Sequence, residues 1–180
     1  GRRLAVGLWG KGGLRVYSFE RKDSTVNCSL IREDSAYQLD IMGLDFNRDG
    51  RLVASSLDGS LKLYNADLKL SAEKHLPPEE MPAFARFSPD GSRIALGYYE
   101  AARVDIFSAT DLTRLVSLDI PKAKTNNMRA VSWSPDGRFL YSAGYYMSKK
   151  VNVIVRWDTG DFKTYQYIPV TTNSTIRSIL

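Results

Sequence analysis

The 180 residues contain one cysteine, Cys28, and one histidine, His75. A single thiol excludes an internal disulfide and a cysteine-based metal site, and one His beside one Cys falls short of a zinc ligand set. Ser-His-Asp or Cys-His catalysis would have to run through His75 alone, between Lys74 and Leu76 and ahead of Pro77-Pro78; it reads as a strand-end histidine. No apolar run is long enough to cross a bilayer as a helix, and no signal-peptide pattern is present. Lys and Arg are scattered apart from Arg2-Arg3 and Lys149-Lys150, so no stripe tracks a phosphate backbone and nucleic-acid binding is disfavoured. Cys28 reads as a small buried hydrophobe on a strand, and a lone thiol fits a reducing, cytoplasmic setting. The chain does not begin with Met, and is expected to be an excised piece of a longer one.

What the sequence does have is strand chemistry. It is 43% hydrophobic and 25% charged, with aromatics at 11%, including ten Tyr and three Trp; flat rings suit a pleated surface. Net charge is +5, a modest excess that keeps a protein soluble and favours acidic partners. Three segments align: Leu44-Asp45-Phe46-Asn47-Arg48-Asp49-Gly50-Arg51-Leu52, Ala85-Arg86-Phe87-Ser88-Pro89-Asp90-Gly91-Ser92-Arg93-Ile94, and Val131-Ser132-Trp133-Ser134-Pro135-Asp136-Gly137-Arg138-Phe139-Leu140. Their Asp-Gly pairs lie 41 and 46 residues apart, the spacing of four-stranded propeller blades.

Each unit repeats one grammar. An apolar-aromatic strand enters a turn in which Gly takes the positive φ. A second strand follows (Leu52 to Ser56, Ile94 to Tyr98, Phe139 to Gly144), then a third (Leu61 to Tyr64, Val104 to Phe107, Val151 to Trp157) and a fourth. Leu4 to Trp9, Leu14 to Phe19 and Val26 to Ile31 read as the last three strands of a preceding unit, and Ile176 to Leu180 as the opening strand of another. The units are expected at 1–35, 36–78, 79–124, 125–170 and 171–180.

These residues resemble the WD40 family along nearly the whole chain. Asp58-Gly59-Ser60-Leu61-Lys62-Leu63-Tyr64-Asn65 looks like the family's turn into its third strand, and Trp157-Asp158 is a literal copy of the naming dipeptide. The resemblance implies an all-β fold: a β-propeller of four-stranded antiparallel blades. The family's Gly-His pair is absent, Tyr64 and Phe107 stand where Trp would be, and Asp58 could act with Ser55 or Ser56. The full hydrogen-bonded tetrad is therefore missing, and stability is expected to rest on sheet packing. About four units cannot close the family's usual seven-bladed ring. The expectation is a partial propeller, as a fragment of a longer chain; self-association of copies ranks second and a four-bladed closure third.

No enzyme is legible. Asp49, Asp90 and Asp136 recur at equivalent turns of separate units and do not converge as an acid–base pair. Glu79-Glu80 and Glu33-Asp34 read as solvated loop charge, and Gly10-Gly12-Gly13 lacks the Lys-Ser/Thr of a phosphate loop. No cofactor is expected. By the resemblance, the loops joining second to third strands, and fourth to next first strands, form the common partner-binding face. They supply Trp9, Lys11, Tyr98, Tyr99, Glu100, Tyr145, Tyr146, Lys149 and Lys150, then Tyr37, Lys122, Lys124, Asn126 and Asn127. Arg129 and Arg177 enter successive units at matching positions. Gly-Tyr-Tyr recurs at 97–99 and 144–146, and Tyr and Arg are the types enriched in interface hot spots. The candidate site is Tyr37, Tyr98, Tyr99, Arg129, Tyr145, Tyr146, Lys149, Lys150 and Arg177. The expected role is a non-catalytic scaffold for a protein or peptide partner of acidic character, with no membrane association. The alternatives are a regulatory, substrate-recruiting propeller of a larger enzyme such as a peptidase, whose family shares the Ser-Pro-Asp-Gly turn, and a lectin-like or small-ligand propeller.

Overall fold

Short strands separated by turn signals at 8–12-residue intervals give small antiparallel sheets. The computed structural model describes residues 2–120, 127–145, 147–148, 151–170 and 176. Its first sheet is β1 (Arg3–Gly7), β2 (Leu14–Lys22) and β3 (Thr25–Asp34), paired in that order. The second is β4 (Ile41–Phe46), β5 (Leu52–Ser56), β6 (Ser60–Tyr64) and β7 (Leu70–His75). The third runs β8 (Pro82–Phe87), β9 (Arg93–Tyr98), β10 (Arg103–Ser108) and β11 (Arg114–Asp119). The fourth holds β12 (Asn127–Trp133), β13 (Phe139–Tyr145), the two-residue β14 (Met147–Ser148), β15 (Val151–Asp158) and β16 (Tyr165–Val170). A single bridge, Met128 to Tyr98, ties β12 to β9.

In the second and third sheets, side-chain alternation sends the residues of a strand to two different neighbours. Val53 packs with the third sheet, while Leu52 and Ala54 pack with the first. Ile94, Leu96 and Phe107 face the second sheet, while Ala95, Val104 and Ile106 face the fourth. The three clusters are thus the three sheet-to-sheet layers, and β5 and β6 are buried along their whole length. The outer β7 and β11 are mostly exposed and polar, which blunts them as edges.

The Asp-Gly turns close as the sequence indicates. Gly50, Gly91 and Gly137 take φ of 82°, 70° and 71°. In the two Ser-Pro-Asp-Gly copies the Ser hydroxyl donates to the Asp carboxylate, which also accepts the N–H of Ser92 or Arg138. Those bonds hold Asp90 down at about 2 and Asp136 below its ordinary value. In the Asn-Arg-Asp-Gly variant Asn47 Oδ1 accepts the N–H groups of Asp49 and Arg51 instead.

A second repeated turn joins third to fourth strands. Leu68, Leu112 and Phe162 sit there at φ of 61°, 58° and 52°, a conformation costing about 1–2 kcal/mol for a residue with a Cβ. Leu68 and Leu112 are buried, and Phe162 packs partly buried on the third-to-fourth layer. Burial of a large apolar side chain offsets that strain.

One expectation changes, and one sequence repeat is offset in three dimensions. Cys28 is on a strand but exposed, because the open side of β3 has no sheet over it. The Gly-Tyr-Tyr copies are not in register. Ser88 pairs with Arg93 and Ser134 with Phe139 in the same turn geometry, which aligns Tyr98 with Gly144 and Tyr99 with Tyr145. A one-residue offset exchanges the faces of a strand.

Sheets meet most closely at the ends of their inner strands. A Cβ on Gly97 would strike the carbonyl oxygens of Met128 and Arg129, and one on Gly7 would strike Ile41. Gly97→Ala is expected to cost about 1–3 kcal/mol in chemical denaturation by forcing the third and fourth sheets apart; an unchanged midpoint would contradict the contact.

Candidate functional site

Between the first and second sheets lies a buried polar chain. The Tyr64 hydroxyl donates to Asp34 at 2.6 Å and contacts the Tyr37 hydroxyl at 2.9 Å. Lys62, only 2% exposed, reaches Asp34 at 3.4 Å and Glu73 at 3.7 Å, with its ammonium 4.1 Å from the Tyr37 ring centroid. Burial pushes Asp34 up, but bonds from Tyr64 and Ala36 N–H and the Lys62 charge outweigh it and hold the carboxyl below its ordinary value. Burial pushes the Tyr37 and Tyr64 hydroxyls up, so both stay protonated.

The third sheet repeats the device with the sign reversed. Lys62 lies opposite Ala54 and Asp105 opposite Leu96, which is the same place in each sheet. Asp105 is fully buried; it accepts from Tyr98 Oη at 2.6 Å and pairs with Arg103 at 3.4 Å and Arg114 at 3.1 Å. Glu80 completes the cluster against Arg103. In the fourth sheet the place is taken by Val155, and the neighbouring Trp157 donates its indole N–H to Ser142 Oγ at 3.1 Å. Tyr64, Phe107 and Trp157 do share one position, opposite Leu52, Ile94 and Leu140. Asp34 and Glu80 are therefore not solvated loop charge: Asp34 is folded onto the buried Lys62 and Glu80 onto the half-buried Arg103.

Tyr37 and Tyr98 have no exposed surface, so neither can contact a partner; both tie a connector or strand end to the interior. Tyr99 and Arg129 do come together. Arg129 Nη1 donates to Tyr99 Oη at 3.0 Å, with the guanidinium 5.0 Å from the ring centroid. Tyr145 ends β13 opposite Asn127. Tyr146, Lys149, Lys150 and Arg177 lie outside the described residues, as do Lys122, Lys124 and Asn126. The long connection after β13 forms a short hairpin, Met147 opposite Asn152 and Ser148 opposite Val151. Trp9, 85% exposed, sits on the same side as Tyr99, at the start of a 3-10 turn (Gly10–Gly12) pinned by Gly10 N–H to Asp40. Leu39, beside Asp40, is 48% exposed.

The opposite side, formed by the Asp-Gly turns, carries adjoining clefts. One, of about 470 Å³, is lined by Arg48, Pro89, Asp90, Arg93, Trp133 and Asp136 among others. Another, of about 460 Å³, is lined by Arg2, Arg3, Phe46, Arg48, Asp49, Gly50 and Ala66. Among the described residues no group of three or more His, Cys, Asp or Glu could hold a metal ion, and no helix is long and apolar enough to cross a membrane.

Sheets layered face to face and joined at their inner ends define a β-propeller. A family model described as WD domain, G-beta repeat matches residues 28–65 and 116–153. Those two segments are similar to WD40 repeats, and the unit at 85–94 lies between them. In three dimensions the chain is similar to a chain of the mitotic checkpoint complex crystal structure, with a TM-score of 0.74 at 20% identity over 99% of this chain and 50% of that one. It is likewise similar to Sqt1 from Chaetomium thermophilum, with a TM-score of 0.70 at 18% identity over 92% of this chain and 43% of that one. A second Sqt1 crystal structure gives 0.71 at 18% identity over 93% and 43%. No curated protein matches the chain. The chain thus spans half or less of the length of these propellers.

Tyr64→Phe is expected to lower stability by about 1–3 kcal/mol, because it strips a donor from Asp34 and leaves the Tyr37 hydroxyl buried without its partner. Equilibrium urea unfolding measures this; a loss no larger than that of an exposed Tyr165→Phe control would contradict it.

Proposed function

We propose that this protein is a non-catalytic interaction scaffold that recruits a protein or peptide partner through the face carrying Trp9, Leu39, Tyr99 and Arg129. Trp9 carries the reading. A large aromatic side chain 85% in solvent, on a turn fixed by hydrogen bonds at both ends, is a preorganised anchor of the kind that dominates interfaces. Arg129 stacked on Tyr99 adds a cation whose remaining donors suit an acidic group. The WD40 propeller fold commonly mediates protein–protein contact, which supports the same reading, as does the checkpoint-complex assembly in which one structural neighbour was solved. Tyr145, Tyr146, Lys149, Lys150 and Arg177 extend the proposed face by their place in the repeat.

The open side of the first sheet supports self-association or pairing with a further sheet. Leu4 lies opposite Tyr17, and Tyr17 opposite Leu30, so the three form one row. Leu4 and Leu30 are 48% and 49% exposed. We assign the blades at 1–35, 36–78, 79–124 and 125–170, with 171–180 opening another, and a cytoplasmic setting.

A Trp9→Ala, Arg129→Glu double variant with an unchanged circular dichroism spectrum is expected to lose most partner recovery in quantitative affinity capture. Recovery equal to that of the unaltered protein would remove the face from the account.

A further inference from the structure

The cleft between the first and second sheets has an apolar floor and a basic rim. Phe46 and Ala66 form the floor, while Arg2, Arg3 and Arg48 stand around it. Arg3 is fixed there by donating Nη1 to the Ala66 carbonyl at 2.7 Å. The Arg2 and Arg48 guanidinium groups have no hydrogen bond or ion pair within the described residues. The one carboxylate in the lining, Asp49, is engaged by Asn47 Nδ2 at 3.3 Å and Arg51 at 3.7 Å. Two unpaired guanidinium groups therefore face a pocket of about 460 Å³. Arg48 also lines the neighbouring cleft, so the two depressions adjoin across it.

We infer that this cleft is a second binding site, on the face opposite Trp9, for a short peptide segment pairing an acidic residue with an adjacent apolar one. The carboxylate meets Arg2 and Arg48, where planar guanidinium geometry permits bidentate pairing. The apolar side chain covers Phe46 and Ala66. Charge decides the class of partner. Asp90 and Asp136 line the adjoining cleft beside Arg93 and are tied into their turns as carboxylates. A polyanion running along this face would meet them, whereas a single acidic residue seated between Arg2 and Arg48 would not. The two carboxylates favour a short peptide over a nucleic-acid strand as the occupant.

Fluorescence polarisation with a labelled peptide of alternating Glu and Leu tests the site. The unaltered protein is expected to bind it, more weakly as salt rises. An Arg2→Glu, Arg48→Glu double variant, which removes no internal contact, is expected to weaken binding at least about tenfold. Replacing Glu by Lys in the peptide should abolish binding, and a single-stranded oligonucleotide should not compete. Trp9→Ala should leave the affinity unchanged, which separates this site from the opposite face. Absence of peptide binding, equal binding by the Arg double variant, or effective competition by the oligonucleotide would overturn the assignment.

Discussion

Successive sheets in this protein approach backbone to backbone at their inner ends. At Gly97 a single added carbon would collide with the Met128 and Arg129 carbonyls of the next sheet, and at Gly43 with Ala83 and Ala85. Ser55 Oγ donates to the Ala83 carbonyl, and Ile176 N–H donates to Gly144 O at 3.2 Å. The same junction thus recurs along the chain. With the inner ends held together, the outer strands splay apart, and the second and third sheets each bury both faces against different neighbours. That constraint explains why β5 and β6 are buried throughout and why β7 and β11 are polar.

The layers between sheets are not purely apolar. Lys62 and Asp105 occupy one structural position with opposite charge, and each is neutralised from two directions. Lys62 is met by Asp34 from the connector and by Glu73 from the sheet's own outer strand, whereas Asp105 is met by Arg103 on its own strand and by Arg114 from the outer strand, with Glu80 pairing Arg103 in turn. Removing one member would leave a buried charge uncompensated, which is costly. Such a cluster fixes the connector as well as the sheet. It does the work that a His-linked tetrad would do in a unit bearing Gly-His, and in the fourth sheet the Trp157–Ser142 link of that tetrad is present.

Much of this was legible in the residues. The three Asp-Gly turns announced the repeat and their glycines take the positive φ that turn chemistry demands. Other features were hidden. The turns at Asp67-Leu68-Lys69, Asp111-Leu112-Thr113 and Asp161-Phe162-Lys163 share a pattern of Asp, a large apolar residue and a polar one. A bulky side chain in the left-handed region defies ordinary turn rules, so only burial reveals why it is there. The tyrosines show the opposite failure. Gly-Tyr-Tyr repeats in sequence but not in register, so Tyr98 points inward to Asp105 while Tyr99 meets Arg129. Asp34 and Glu80 looked solvated because their cations lie far away in sequence. Trp9 was one aromatic among many until its exposure set it apart.

Through-space proton contacts at the sheet junctions test the account most directly. Nuclear Overhauser spectra should show cross-peaks from Gly97 to Met128 and Arg129, from Gly43 to Ala85, and from Gly7 to Ile41, each linking two successive sheets. Cross-peaks confined to residues of the same sheet, with none spanning the three junctions, would contradict it.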